Sequence, residues 1–359
     1  MKVLTVVGNR PQFIKAAAVS PPLRREHQEI LIHTGQHFDD RLSAVFFAEL
    51  GLSAPDRQLD ISLGSASSQT SRMLAALEPV LADESPDVVL VYGDTNSTLA
   101  GALAGAQAQV PVAHVEAGMR SFDRSMPEEL NRVLTDHASA LLLCSTDVAM
   151  TNLRHEAVAG RAELVGDVMV DVAMAIAPQA RRRTDLVRAR GLEPGAYLLA
   201  TAHRAGNVDD PERLALLVEV LTGLPLPVVL PLHPRTDARL RAAGLHEVLA
   251  RAPGVILTEP LGYVELTALL CQARAAVTDS GGLQKEAFLA GVPCVTLRPN
   301  TEWTETVELG WNVLADLDLG RVLAALEREP PAAPPPPVYG DGHAGERVVA
   351  ALGTLAEPR

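Results

Sequence analysis

Nowhere in this chain does an apolar run approach membrane length, so no transmembrane helix is expected. The opening MKVLTVVG is too short an apolar run for a signal peptide. Only three cysteines occur among 359 residues. Each sits in an apolar context, LLLCS at Cys144, LLCQA at Cys271 and VPCVT at Cys294, and none has metal-ligand spacing. They read as buried thiols of a reducing compartment, and the expected location is cytoplasmic. Positive charge is also short: 31 Lys and Arg face 44 Asp and Glu, a net charge of −13. That balance argues against a nucleic-acid or anionic-membrane partner, and an anionic ligand needs local help from Arg, Lys or helix N-termini. No G-x-G-x-x-G follows the first predicted strand, and no G-x-x-x-x-G-K-[ST] occurs anywhere. A nicotinamide cofactor and a P-loop nucleotidase are therefore unsupported, and neither a cofactor nor a metal is expected. No fixed-period repeat is found.

What the chain does carry is concentrated between Val88 and Glu129. Two β-branched runs, Val88–Val91 and Val110–Val115, each end in a polar cluster. The first ends at Gly93-Asp94-Thr95-Asn96, the second at His114, Glu116 and Gly118. Between them Thr98–Gln109 is rich in Ala, Leu and Gly, as a helix packed tightly on a sheet would be. The connection length implies parallel strands, whose carboxyl ends form the ligand crevice. Asp94 and Glu116 are therefore expected side by side at one rim. Pro127-Glu128-Glu129 opens the next helix and brings further carboxylates, an acid/base constellation. The plainer reading makes each acid a helix cap or first-turn charge, and Glu129 fits that reading best.

Along the chain, Lys2–Val7 is an apolar strand, and Pro11 opens a helix predicted through Ala18. Glu29–His33 is a second strand, followed by a helix to about Leu50 and another over Ser67–Glu84. Ala140–Cys144 and Ala162–Val165 complete a doubly wound half, residues 1–170. Gln179–Arg190 carries Arg181-Arg182-Arg183, read as a solvated helix face. A second αβ series follows, with strands at Tyr197–Ala200, Pro227–Leu232, Val255–Leu257, Ala275–Val277 and Val292–Leu297. Glu329–Val338 is proline-rich and reads as a stiff connector. Gly345–Leu355 is a final amphipathic helix. The expected fold is α/β, two Rossmann-like doubly wound domains facing a central cleft. The first spans 1–170, with 343–359 crossing back to it, and the second 171–342.

In the second half Thr278-Asp279-Ser280-Gly281-Gly282 lies between a strand and a helix predicted over Leu283–Ala290. Paired glycines permit close backbone approach, and a helix N-terminus supplies free N–H groups. The motif reads as a diphosphate cradle, or else as an N-cap at Ser280 and a turn. Glu286 lies about one turn into that helix, where it would accept from ribose hydroxyls. His203 and Arg204 end the first strand of this half, and a histidine there titrates near neutrality. Arg10 and Lys15 come from the first βα turn of the first half and are expected to face the same gap.

GNRPQFIK (8–15), TGQHFD (34–39), YGDTNSTLAGALA (92–104), VAHVEAGMRSFDRSMPEELNRVLTDH (112–137), TDSGGLQKEAF (278–288), VPCVTLR (292–298) and YGDGHAGERVV (339–349) together resemble the non-hydrolysing UDP-N-acetylglucosamine 2-epimerases. The match runs almost end to end, with the motifs in order. The resemblance implies the two-domain fold of GT-B glycosyltransferases, a UDP-amino sugar substrate, no metal or nicotinamide, and a homodimer. It implies inversion at carbon 2 of the sugar through UDP elimination and re-addition. By motif position Asp94, Glu116, Glu128 and His203 match acid/base and catalytic residues, and Arg10 and Lys15 match nucleotide or diphosphate contacts. Ser280, Gly281, Gly282 and Glu286 match the UDP site, and Gln36 and His37 match part of a regulatory UDP-sugar site. Three positions depart from the common pattern: Gln12 and Gly206 where Glu is usual, and Trp303 where a UDP-contacting Arg is frequent. RPQFIKA, QKEAF and TEW look closer to the branch acting on UDP-2,3-diacetamido-2,3-dideoxyglucuronate. A GT-B glycosyltransferase or an inactive UDP-sugar-binding protein are the competing functions.

Overall fold

The computed structural model describes residues 1–36 and 51–355, so the helix expected to end near Leu50 lies outside the described residues. The chain divides into two compact units: Met1–Met174 with Pro337–Arg359, and Ala175–Pro336.

Unit 1 is built on a seven-stranded sheet. Its strands are β1 (Lys2–Val7), β2 (Gln28–His33), β3 (Arg57–Gln58), β4 (Val88–Tyr92), β5 (Val112–Ala117), β6 (Leu141–Cys144) and β7 (Arg161–Leu164). All pair in parallel, in the order β3-β2-β1-β4-β5-β6-β7. The helices are α1 (Arg10–Glu26), α2 (Ala66–Glu84), α3 (Asn96–Gln107), α4 (Pro127–Ala138), α5 (Asp147–His155) and α6 (Val168–Ala180). Central β4 is buried along its whole length, which is why its sequence is a continuous apolar run without alternation. α3 sits tightly on the sheet: a Cβ at Gly101 would lie 2.9 Å from Val91, and one at Gly105 2.8 Å from Val112.

Helix α1 is longer than its sequence predicts. It continues past Ala18 through Pro21 and Pro22 to Glu26. Pro22 has no N–H to offer the carbonyl of Ala18, yet the helix persists because its buried face, from Phe13 to Leu23, packs on the sheet.

Unit 2 is a second parallel sheet, six-stranded, in the order β10-β9-β8-β11-β12-β13. The strands are β8 (Leu198–Thr201), β9 (Val228–Pro231), β10 (Val255–Thr258), β11 (Ala275–Thr278), β12 (Cys294–Thr296) and β13 (Asn312–Leu314). Between them run α7 (Thr184–Arg188), α8 (Ala205–Val208), α9 (Pro211–Thr222), α10 (Pro234–Ala242), α11 (His246–Arg251), α12 (Tyr263–Gln272), α13 (Gly281–Ala290), α14 (Thr304–Glu308) and α15 (Leu319–Leu326). Three-residue β13 has no sequence counterpart among the expected strands. Arg181, Arg182 and Arg183 occupy the turn between α6 and α7, not a helix face, and Arg183 pairs with Asp185. Burial pushes the Cys144 and Cys294 thiols up to about 12, in keeping with buried, unreactive sulfur.

The last helix, α16 (Ala344–Gly353), belongs to unit 1 and packs on α1. The contact is at the carbonyl that Pro22 leaves without its helical donor: a Cβ on Gly345 would lie 2.1 Å from the Ala18 oxygen. Asp171 fixes the helix start by accepting from the Ala344 and Gly345 N–H groups.

In both sheets the strand order reverses once, between β1 and β4 and between β8 and β11. Ligand crevices of open α/β sheets form at the carboxyl ends of the strands at such switch points. Gly345→Ala should destabilise unit 1 by about 2 kcal/mol or more in urea denaturation, because a backbone oxygen cannot move aside cheaply. Gly353→Ala, where a Cβ meets nothing within 4 Å, should stay within about 0.5 kcal/mol.

Candidate active site

At the unit 1 switch point, Asn9 caps α1 and Pro11 occupies its first turn. Gln12 points inward and is fully buried. Its Oε1 accepts from the Gly8 N–H at 2.7 Å, and its Nε2 donates to the Tyr92 carbonyl and the Thr98 hydroxyl, both at 2.9 Å. One amide thus joins the ends of β1 and β4 to the start of α3. A carboxylate at position 12 lacks the donor that two of these three bonds require, which explains glutamine there.

The end of β4 turns through Gly93 at φ +64°, and Thr95 and Thr98 close a capping box on α3. Asp94, between them, receives Arg132 at 2.6 Å, and its carbonyl accepts from Asn131. Arg132, itself buried, also reaches Glu129 at 3.0 Å. On the adjacent strand, β5 slips register against β6 between Val115 and Ala117. The extra residue in this bulge is Glu116, in the left-handed region at φ +70°. That conformation costs a non-glycine residue roughly 1–2 kcal/mol. It delivers the Glu116 carboxylate to Lys15 on α1, with which it forms an ion pair. A Cβ on Gly93 would lie 2.8 Å from Lys15 Nζ and 3.4 Å from Glu116 Oε2. The Asp94 turn, Lys15 and Glu116 therefore converge on one spot, as the spacing of the strand ends implies.

Glu128 and Glu129 open α4, with Glu128 half-buried. Glu129 is buried and spoken for. Burial pushes its carboxyl up, but the Ser121 N–H and hydroxyl, Arg132 and the Phe122 N–H outweigh burial and hold it below the ordinary range. It anchors the loop before α4, where Phe122 is left-handed at φ +59°. Behind the site lies a chain that is buried from His114 to Arg120 and ends at half-buried Glu156. His114 Nε2 sits 2.7 Å from the Gly93 carbonyl, which can only accept, and Nδ1 sits 2.7 Å from Asp136. Asp136 also takes the Gly118 N–H and Arg120, which in turn holds Glu156. Burial pushes Asp136 up, yet the His114 hydrogen bond and the His114 and Arg120 charges bring it below the ordinary carboxylate range.

At the unit 2 switch point, β8 leads into His203 and Arg204 and β11 into Asp279 and Ser280. The His203 ring stacks on His233, centroids 5.2 Å apart. α13 begins at Gly281, longer at its start than the predicted Leu283–Ala290. Ser280 is its N-cap residue but makes no side-chain capping bond, which leaves the cap reading without its hydrogen bond. A Cβ on Gly281 would collide with the Glu302 carboxylate, so this glycine answers to internal packing. Around Gly282 a Cβ meets only Ser280 Oγ at 3.8 Å, and here the backbone is open to close approach. Glu286 stands half-buried about a turn further on. Lys285 is buried, its ammonium 4.1 Å over the Trp303 ring. Gly206 lies in α8, where a side chain would meet nothing within 4 Å.

Asp94, Glu116 and Lys15 thus meet at one rim of unit 1, Arg10 opens α1 and Glu128 lies in the first turn of α4, while His203, Ser280, Gly281 and Gly282 follow the two strands of the unit 2 switch point. Gln36 is engaged at the start of α3, its Oε1 accepting from the Ser97 N–H and hydroxyl; His37 lies outside the described residues. Among the described residues no group of three or more His, Cys, Asp or Glu is placed to hold a metal ion, and no helix is long and apolar enough to cross a membrane. Sequence reasoning did not single out Gln12 as a strand tie, and it gave no role of their own to Arg132, His114, Asp136 or Asp279. Their partners lie elsewhere in the sequence, and their only local signal is their place inside the motifs.

The family model for UDP-N-acetylglucosamine 2-epimerase matches residues 23–353. A UDP-2,3-diacetamido-2,3-dideoxy-D-glucuronate 2-epimerase of Pseudomonas aeruginosa is 49% identical over 322 residues, 88% of each chain. A UDP-N-acetylglucosamine 2-epimerase of Methanocaldococcus jannaschii is 40% identical over 370 residues, 98% of this chain and 99% of that one. The crystal structure of a UDP-GlcNAc 2-epimerase of M. jannaschii, in complex with UDP-GlcNAc and UDP, superposes with a TM-score of 0.92 at 39% identity, over 99% of this chain and 100% of that one.

Gln12→Glu should cost about 1–3 kcal/mol at neutral pH by chemical denaturation, from a buried carbonyl and a carboxylate left without a donor between them. Glu129 has a lowered folded pKa, so its contribution is present above the unfolded value of about 4.3 and is lost as pH falls through the folded one. The stability gap between wild type and Glu129→Gln should therefore be full at pH 6 and narrow steadily below about pH 4.

Proposed function

The chain belongs to the UDP-N-acetylglucosamine 2-epimerase family, whose members are isomerases, and from that membership we propose that it interconverts UDP-N-acetylglucosamine and UDP-N-acetylmannosamine. A unit 1 carboxylate takes the carbon 2 proton. The C–H electron pair becomes the double bond between carbons 1 and 2 as the bond from carbon 1 to the UDP oxygen breaks. A glycal and UDP result. A proton returns to carbon 2 on the opposite face, and the UDP oxygen re-forms its bond to carbon 1.

The observation that carries this reading is the pairing of Glu116, strained on its bulge, with Lys15 beside the Asp94 turn. Strained backbone of this kind clusters at functional sites, and here it stands beside a paired lysine. In this reading Asp94, Glu116 and Glu128 carry the proton transfers together with His203. Arg10 and Lys15 meet the nucleotide or its diphosphate. Ser280, Gly281 and Gly282 present the start of α13 to the diphosphate, and Glu286 accepts from the ribose. Gln36 and His37 are proposed for a regulatory UDP-sugar. The reaction needs no metal or redox cofactor in this scheme. A homodimer is proposed too, supported by apolar side chains that stay in solvent on and before α4: Leu130, Leu134 and Phe122, the last 77% exposed. The proposed setting, cytoplasmic supply of a surface-polysaccharide precursor, rests on the sequence resemblance.

A second substrate has its own support. Identity to the P. aeruginosa diacetamido-glucuronate epimerase, 49%, exceeds the 40% to the M. jannaschii enzyme. Measuring kcat/KM for both UDP-sugars decides: a preference of about tenfold or more for UDP-N-acetylglucosamine supports the first reading, and the reverse supports the second. Silence on both, from folded protein that binds UDP, favours a binding protein. Glu116→Gln should lower kcat by about 10²–10⁴-fold with UDP affinity held within about threefold. Full activity in that variant would remove Glu116 from the chemistry.

A further inference from the structure

Asp279 is the least exposed charged group near the unit 2 switch point, with none of its surface in solvent. Among the described residues no Lys or Arg pairs with it. Its carboxylate instead collects N–H donors from one short turn. The His203 N–H lies 3.0 and 3.1 Å from its two oxygens, the Arg204 N–H 3.0 Å from Oδ2, and Asn207 Nδ2 3.2 Å from the same atom. Successive backbone N–H groups around an anion form a nest, here filled by the protein's own carboxylate. Removing one partner of such a buried bond costs the full desolvation of the other.

The rest of the turn is held with equal thoroughness. Asn207 also donates to the Leu297 carbonyl beyond β12, and its oxygen takes Arg213, which pairs with Asp316. Thr236 donates to the Ala202 carbonyl. Below the turn the Thr201 and Thr278 hydroxyls join β8 to β11 at 2.6 Å. These bonds keep the HRAGN turn in place although Gly206 contributes no side chain to it. The residue after Asp279 is Ser280, the N-cap of α13, whose own N–H is fixed on Thr278 Oγ1 at 2.9 Å. A single residue thus ties the strand end that carries His203 to the strand end that opens the glycine cradle. Its oxygen also lies 3.8 Å from His203 Nδ1, the ring nitrogen on its side.

We propose that Asp279 is a positioning residue that acts through His203, fixing the turn that carries the imidazole relative to the Ser280-Gly281-Gly282 cradle. The inference rests on the reading of His203 as catalytic. A displacement of about 1 Å at a reacting group can cost about 100-fold in rate, whereas cradle contacts made by α13 backbone do not pass through this carboxylate.

The test is a double-mutant cycle in the full-length protein, with whichever of the two UDP-sugars the wild type turns over. Asp279→Asn, His203→Ala and the combination are compared by kcat, KM, UDP affinity from calorimetry, and thermal midpoint. Asp279→Asn keeps the shape and one acceptor oxygen, so it folds where Asp279→Ala risks failing. The expected result is a fall in kcat of about 10–100-fold for Asp279→Asn, with KM and UDP affinity within about threefold. On the His203→Ala background the same change should lower kcat by no more than about twofold. Multiplying effects in the double variant, or joint loss of UDP affinity and thermal midpoint in Asp279→Asn, would overturn the proposal in favour of a purely structural carboxylate. So would wild-type kcat in Asp279→Asn. If His203→Ala itself retains full activity, the catalytic reading of His203 fails first, and that outcome is recognised without reference to Asp279.

Discussion

Each unit of this protein depends on holding two parallel strand ends together where the strand order reverses. On either side of a switch point the connecting helices leave in opposite directions, so no helix covers the gap. Its backbone groups must be satisfied by side chains. In unit 1 the solution is a neutral amide: Gln12 donates twice and accepts once among Gly8, Tyr92 and Thr98. In unit 2 it is a carboxylate: Asp279 only accepts, and every donor it uses comes from the 203–207 turn. The two side chains differ because the groups to be satisfied differ. Asp94 follows β4, Lys15 stands on the helix that begins after β1, His203 follows β8 and Ser280 follows β11.

The acids of unit 1 raise a second constraint. Several carboxylates at one rim of a chain with net charge −13 repel one another and resist burial. The structure answers with three buried or half-buried cations. Lys15 meets Glu116, Arg132 spans Asp94 and Glu129, and Arg120 spans Asp136 and Glu156. Burial decides which pairs matter. Breaking the Arg120–Asp136 pair, closed to solvent on both sides, carries a penalty of about 3–5 kcal/mol, whereas an exposed pair such as Arg183–Asp185 is screened by water and adds little. Such a framework keeps Asp94 and Glu116 close without letting the strand ends spread.

Much of the fold was readable from the sequence, because parallel strands buried on both faces announce themselves as β-branched runs. β1, β4, β6 and β11 fall within a residue or two of the expected spans. The rim position of Asp94 and Glu116 was readable for the same reason, since a polar residue that ends such a run has nowhere else to go. What failed had physical causes. Pro21 and Pro22 argued for an earlier end to α1, and packing of its buried face overrode them. β13 is three residues long and carries Asn312, whose amide is used inside the sheet. The left-handed backbone of Glu116 has no local signal, because bulges are set by the neighbouring strand's register. Gly281 looked like a residue opened for a ligand, yet its missing Cβ makes room for Glu302. Trp303 read as a lost cation; instead its ring lies beneath the Lys285 ammonium.

The central claim is that carbon 2 of a UDP-amino sugar loses its proton to this protein and regains one on the other face. The most direct measurement follows the sugar protons by NMR during incubation with UDP-N-acetylglucosamine in heavy water, and with the diacetamido uronate in parallel. The account predicts that the carbon 2 proton signal disappears from both epimers as equilibrium is approached, replaced by deuterium. A manno epimer that accumulates with its original proton at carbon 2 would contradict it.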